Sequence, residues 1–242
     1  MTCVGLIPAR AGSKRIPDKN TKILNGHPLL AYTIAAALES NVFTDIVVST
    51  EGDATGAVAV QYGARWLKRP AEFATDTSPD IEWVRHALEN CALTDCFSIL
   101  RPTSPFRLAS TIQRAWEHFR GGQVHSLRAV EPVSQHPCKM WTRATSSGAP
   151  YEIMLPFLKG QGNHHSFPMG LLEPVLVQNA SLEIALSRIV ENGTIAGTHV
   201  MPFFTEGREG FDINTPDDWI IAEHLATTGT PMPTVRYNRE TT

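Results

Sequence analysis

The chain has 242 residues, 21 Lys+Arg against 24 Asp+Glu, a formal net charge of −3, and 42% hydrophobic against 19% charged residues. Such a chain can bury one large core, and its composition excludes a disordered polypeptide and a polycationic coat for nucleic acid or acidic membrane. Four scattered cysteines exclude a disulfide framework, and no window reaches 18 apolar residues, so a soluble cytoplasmic protein is expected.

In chain order, Cys3–Ile7 is a short apolar run suited to a buried strand. Pro28–Ser40 has helical spacing with Pro in its first turn, Asp45–Ser49 is β-branched and strand-like, and Asp53–Tyr62 is helical with Gly63 as its stop. Ala64–Leu67 is a short strand. Asp80–Ala92 is a helix with Ile81, Val84 and Leu88 on one face, and Phe97–Leu100 is the next strand. A helix over Ala109–Phe119 ends before Gly121 and Gly122, and a strand covers Val124–Val130. This alternation predicts parallel βαβ units in an α/β sheet, whose ligands sit at the carboxyl ends of the strands. From Glu131 to Val177 the pattern breaks into Pro- and Gly-rich sequence too long for a plain loop, which reads as an inserted arm or lid. Regular structure resumes over Ser181–Val190 and near His199–Phe203, and a last helix starts at Thr215-Pro216. The reading is one domain over residues 1–242, with 131–177 projecting and a polar, mobile tail over 228–242.

The most informative stretch is Ile7–Asn20, IPARAGSKRIPDKN, where a loop carrying Arg10, Lys14, Arg15 and Lys19 leaves the first strand. Four cations within ten residues repel one another and call for an anionic ligand or open solvent. Gly12 permits close backbone approach, Ser13 adds a hydroxyl, and the arginine fork and lysine point charge together suit a polyphosphate. The loop is neither a Walker A motif nor a Gly-x-Gly-x-x-Gly turn, and no Gly-x-Ser-x-Gly elbow or Cys-x-x-Cys pair occurs elsewhere. Charge is polarised along the chain. Five of the 21 basic residues lie between Arg10 and Lys22, opposed by Asp18, and six of the 24 acids lie between Glu206 and Glu223, opposed by Arg208.

IPARAGSKRIPDKN followed by GHPLLAYTI, then KRPAEFATDTS (68–78), LRPTSPFR (100–107) and FDINTPDDWIIAE (211–223), in that order, resemble the acylneuraminate cytidylyltransferases, the CMP-sialic acid synthetases. The resemblance implies a Rossmann-like, GT-A-like three-layer α/β nucleotidyltransferase fold with a mainly parallel sheet and an arm that builds a homodimer. It implies transfer of CMP from CTP to an acidic acceptor, with Mg2+ and release of pyrophosphate. Carried over by motif, Arg10, Gly12, Ser13, Lys14 and Lys19 would hold the phosphates, with Arg10, Lys14 and Lys19 as the catalytic cations. Asn20 would meet the nucleoside and Arg69 the cytosine. Asp212 matches a metal-binding aspartate and Asn214 stands where a second one is usual. Asp217 and Asp218 instead suit the positive end of the last helix.

The acceptor end departs from the sialate pattern. Arg101 stands where Gln is frequent, Glu183 where an aromatic is frequent, and no arginine occurs from Ala144 to Leu186. Arg101, Arg107, Lys139 and Asn179 are the acceptor-binding candidates. The acceptor is expected to be a nonulosonic acid or a small phosphonate carboxylate such as phosphonoformate. A nucleotide-binding relative without turnover, and a transferase using another nucleoside triphosphate, are the alternatives.

Overall fold

The computed structural model describes residues 1–144, 152–160 and 163–238. Parts of the predicted arm (145–151 and 161–162) and the end of the predicted tail (239–242) lie outside the described residues. The elements run β1 (Cys3–Pro8), β2 (Ile23–Leu24), β3 (His27–Pro28), α1 (Leu29–Ser40), β4 (Asp45–Thr50), α2 (Asp53–Gln61), β5 (Arg65–Lys68), α3 (Asp80–Glu89), β6 (Cys96–Ile99), α4 (Ala109–Arg120), β7 (Ser126–Pro132), β8 (Trp141–Ala144), β9 (Ile153–Pro156), β10 (Leu176–Leu186), β11 (Val200–Phe204) and α5 (Pro216–Thr227).

Two compact units emerge: Met1–Val130 with Asn179–Thr242, and Glu131–Gln178. The first is built on a seven-stranded sheet of order β11-β7-β10-β6-β1-β4-β5. β1 pairs in parallel with β4 and β6, β4 with β5, and β11 with β7. The expected α/β sheet is therefore present, and its antiparallel member is β10, which runs against β6 with Glu183 opposite Ile99. The second unit carries the β8–β9 hairpin and short 3-10 turns.

Strand alternation explains the layering. Cys3 and Ile7 of β1 face a core shared with Leu30, Ile34, Ile112 and Phe119 of α1 and α4. Val4 and Leu6 face the opposite core with Trp83 and Val84 of α3. At Gly56, a Cβ would lie 2.2 Å from the Trp66 ring, so glycine is what lets α2 settle on β5 at the cost of helix propensity. A third cluster joins Ile16, Leu24, Leu29, Tyr32, Phe106, Ile213 and Trp219.

Two expectations shift. The strand predicted over Val124–Val130 begins at Ser126, and the segment predicted over Ser181–Val190 is an eleven-residue strand, β10, that ends at Leu186 and gives way to a 3-10 turn. Part of the predicted tail is docked. Val235 packs against the third cluster, the Tyr237 ring lies 5.0 Å from that of Tyr62, and the Asn238 amide donates to Gln61 O. Among the described residues no helix is long and apolar enough to cross a membrane.

Candidate active site

The carboxyl ends of β1, β4, β5 and β6 deliver Arg10, Glu51, Arg69 and Arg101 to one edge of the sheet. There a cleft of about 320 Å³ is lined by Arg10, Ser13, Lys19, Asn20, Arg69 and Arg101, and by Asp212 and Asn214 from the loop before α5. Residues up to 204 positions apart in the chain, Arg10 and Asn214, thus converge where an α/β sheet is expected to bind ligand. A larger cavity, about 1210 Å³, opens at the other end of the strands beside Met1, Asp95, Val124 and Leu186, and holds none of the predicted site residues.

The basic loop is anchored at both ends. The Ala11 amide donates to Glu51 Oε1 at 2.8 Å, and the buried Asn20 side chain donates to Arg10 O at 3.0 Å. Between these ties Ile16, 4% exposed, sinks into the third cluster and leaves Lys14 and Arg15 outside. A Cβ at Gly12 would meet nothing within 4 Å, so packing does not demand glycine there. Arg10 reaches Asp76 Oδ1 at 2.6 Å and Lys14 pairs with the same carboxylate. These two hydrogen-bonded cations hold the Asp76 carboxyl below the usual range although it is exposed. Lys14 does not line the cleft itself, but Asp76 does.

Lys19 donates to Ile213 O at 2.8 Å. Burial lowers its pKa, Asp212 opposes that shift, and Arg10 and Arg15 add to it. Arg69 is 5% exposed, donates to Ser49 Oγ at 3.0 Å and Ser49 O at 2.9 Å, and stacks 5.1 Å from the Trp83 ring. Burial pushes its pKa down to about 10. Asp212 accepts from the Asn214 amide at 2.5 Å through Oδ2, while its Oδ1 is buried without a hydrogen-bond partner. A buried, unsatisfied carboxylate oxygen fits a hard cation such as Mg2+, whose remaining positions can be water and phosphate oxygen. Asn214 acts in this arrangement as a hydrogen-bond donor to that carboxylate. Asp218 instead closes a capping box with Thr215, its Oδ2 accepting from the Asn214 and Thr215 amides.

The acceptor candidates separate. Arg101 lines the cleft and bridges Asp80 Oδ2 at 2.5 Å and Glu183 Oε1 at 3.1 Å. Arg107 is a correction. It is 1% exposed, donates to Ser181 O, to Arg101 O at 3.3 Å and to Thr33 Oγ1 at 2.9 Å, and burial pushes its pKa down to about 9. It stitches β10, the loop after β6 and α1 together from inside and does not reach the cleft. Asn179 also lies off the cleft lining, donating to Thr205 Oγ1 at 2.9 Å and accepting from the Ser181 amide at 3.2 Å. Lys139 belongs to the second unit, where its Nζ donates to His165 O at 3.2 Å. Sequence reasoning missed Asp76, Ser78, Asp80 and Trp83, all lining residues. Asp76 and Ser78 lay inside the KRPAEFATDTS motif, which was the available signal.

Comparison with known proteins places this geometry. A sequence profile described as Cytidylyltransferase matches residues 4–145. The CMP-N,N'-diacetyllegionaminic acid synthase of Legionella pneumophila is 39% identical over 234 residues, spanning 93% of this chain and 96% of that protein. The N-acylneuraminate cytidylyltransferase of Escherichia coli is 37% identical over 153 residues, and that of Streptococcus agalactiae serotype V is 27% identical over 229. These matches span 33% and 54% of those longer proteins. Among solved structures, a CMP:2-keto-3-deoxy-manno-octonic acid synthetase complexed with CTP superposes with a TM-score of 0.70 at 14% identity, over 94% of this chain and 99% of that one. A cytidylyltransferase from Leptospira borgpetersenii gives 0.62 at 15% identity, over 97% and 90%. Both support the Rossmann-like nucleotidyltransferase fold. By its profile match and its near full-length relative, the chain belongs to the acylneuraminate cytidylyltransferase family and is a nucleotidyltransferase.

Proposed function

We propose that the protein transfers CMP from CTP to a nonulosonic acid of the sialic type, releasing pyrophosphate. The observation that carries this reading is the single cleft that gathers Arg10, Ser13, Lys19, Asn20, Arg69 and Asp212. In the proposed step an acceptor hydroxyl oxygen attacks the α-phosphorus of CTP, its proton passes to solvent, a new P–O bond forms, and the bond to the pyrophosphate oxygen breaks. Positioning and charge stabilisation dominate such a transfer. Arg10 and Lys19 neutralise charge on the triphosphate and the leaving pyrophosphate, with Lys14 paired to the cleft-lining Asp76 as a further cation beside them, Arg69 and Asn20 hold the nucleoside end, and Asp212 is the residue that would hold Mg2+. When bound, Mg2+ supplies further neutralisation of phosphate charge.

The acceptor end favours a sugar acid over a compact phosphonate. Arg101 is already balanced by Asp80 and Glu183, so this end carries no surplus cation of the kind a small di- or trianion needs. The name of the Legionella relative points the same way. A cytoplasmic homodimer belongs to the same reading, since the second unit leaves Met154, Leu155, Phe157 and Leu171 between 50% and 73% exposed. Pyrophosphate release should be measured with CTP, Mg2+ and, in turn, N,N'-diacetyllegionaminic acid, N-acetylneuraminic acid, 2-keto-3-deoxy-manno-octonic acid and phosphonoformate. Release with a nonulosonic acid and none with phosphonoformate is expected. Release with phosphonoformate alone would reverse the acceptor assignment. Stabilisation by CTP but not by UTP, ATP or GTP in a thermal melt checks the nucleotide.

A further inference from the structure

A row of alternating charge crosses three adjacent strands beside the cleft. Arg128 on β7 pairs with Glu183 on β10, Glu183 pairs with Arg101 just beyond β6, and Arg101 pairs with Asp80 in the first turn of α3. The row is anchored from behind, because Arg128 Nη2 donates to Ile195 O at 2.7 Å. Glu183 and Arg128 are 4% and 8% exposed and neither lines the cleft. Arg101 does, and both its ion pairs run through Nη2. Among the described residues its Nη1 and Nε have no hydrogen-bond partner, so three N–H donors on two nitrogens remain for a ligand. A buried carboxylate between two arginines offsets part of the desolvation cost that a guanidinium alone would meet, though burial still lowers the Arg128 pKa to about 10.

We propose that Glu183 is a positioning residue for the acceptor: held by Arg128, it fixes the Arg101 guanidinium at the cleft so that its unpaired N–H groups are available to the acceptor's polar groups. The assignment rests on the reading of the cleft as a CTP and sugar-acid site. It goes further in naming a side chain that touches neither substrate as a determinant of acceptor affinity. Asp80, from the opposite side, is the second holder of the same guanidinium.

The test is steady-state kinetics of the full-length protein with CTP and whichever of the three sugar acids named above the wild type uses. Glu183→Gln keeps the shape and removes the charge. We expect it to raise KM for the acceptor about tenfold while KM for CTP stays within about twofold. Arg101→Gln should do the same, and the double variant should be no worse than the worse single one, as for residues acting in series. Arg101→Lys should recover part of the loss, because charge without the fork restores only part of the contact. If Glu183→Gln melts before assay, Asp80→Asn decides, with the same selective rise expected. A folded Glu183→Gln protein with unchanged acceptor KM overturns the proposal, as do equal rises for CTP and acceptor, or additive losses in the double variant. A wild type that turns over none of the three acids overturns the underlying reading, and a wild type that turns over one while Glu183→Gln is silent overturns this proposal alone.

Discussion

Lys19 holds a charge where burial resists it, and Asp212 is the principal group that sustains it. Its pKa lies below that of an ordinary lysine, so the protonated form is lost at lower pH than usual. Activity that needs this charge should therefore decline on the alkaline side earlier than a solvent-exposed lysine would dictate. Asp212→Asn takes away that opposing charge and should move the alkaline limb of CTP binding, measured without Mg2+ because the same side chain is the proposed metal ligand, to still lower pH. A limb that stays put would show that Lys19 is not the titrating group. Lys19→Met should lower kcat/KM for CTP about a hundredfold, in line with loss of one preorganised charge donor. At this scale much of the site was legible, because Arg10, Ser13, Lys19, Asn20, Arg69 and Asp212 sit in short motifs. Arg107 was not. Its partners Thr33 and Ser181 are each 74 residues away, and nothing in the spacing of LRPTSPFR distinguishes an arginine that faces a ligand from one that ties three elements together from within. Asp76 escaped for the same reason, since its Arg10 partner is 66 residues distant.

At the level of elements, the loop after β1 and the loop before α5 behave as one piece. Ile16 and Ile213 share a cluster with Trp219, Lys19 donates to Ile213 O, and the Ile213 amide donates to Thr103 O at 2.9 Å. Ile16→Ala should therefore do two things at once. Loss of a buried side chain should cost about 2–4 kcal/mol of stability, and a loosened loop should raise KM for CTP. A stability loss with KM unchanged would show that the loop is held by its Glu51 and Asn20 ties alone. Thr215→Ala should cost about 1 kcal/mol by opening the capping box of α5, read as a lower melting temperature. The parallel strands and their helices were predictable because each unit combines a buried apolar run with a helical face. The antiparallel course of β10 was not, because direction is decided by its partner β6, more than 80 residues earlier, and not by its own residues.

For the whole molecule, carboxylates tied to cations or backbone amides set the acid limit. Glu209 is opposed by burial, yet bonds from Arg114 and Thr111 hold its pKa below the usual value, and Asp80 and Asp218 are likewise lowered. A carboxyl whose folded pKa is depressed adds stability above its unfolded pKa and loses it as pH falls through the folded one. Stability should thus be flat near neutrality and fall in the acid range. Glu209→Gln should lower the melting temperature at pH 7 and flatten that acid fall, since the group lost is one that titrates there. An unchanged acid profile would assign the loss to other groups. The same body carries four free thiols, of which Cys3 and Cys96 are fully buried on facing strands of the first unit and Cys138 is 9% exposed in the second. Each buried thiol is a clock for its own unit. A thiol reagent can reach Cys3 and Cys96 only when the central sheet parts, and Cys138 only when its own segment opens. The two labelling rates, resolved from that of the half-buried Cys91 by peptide mass with and without CTP, would separate the breathing of the nucleotide-binding unit from that of the inserted unit with no engineered cysteine.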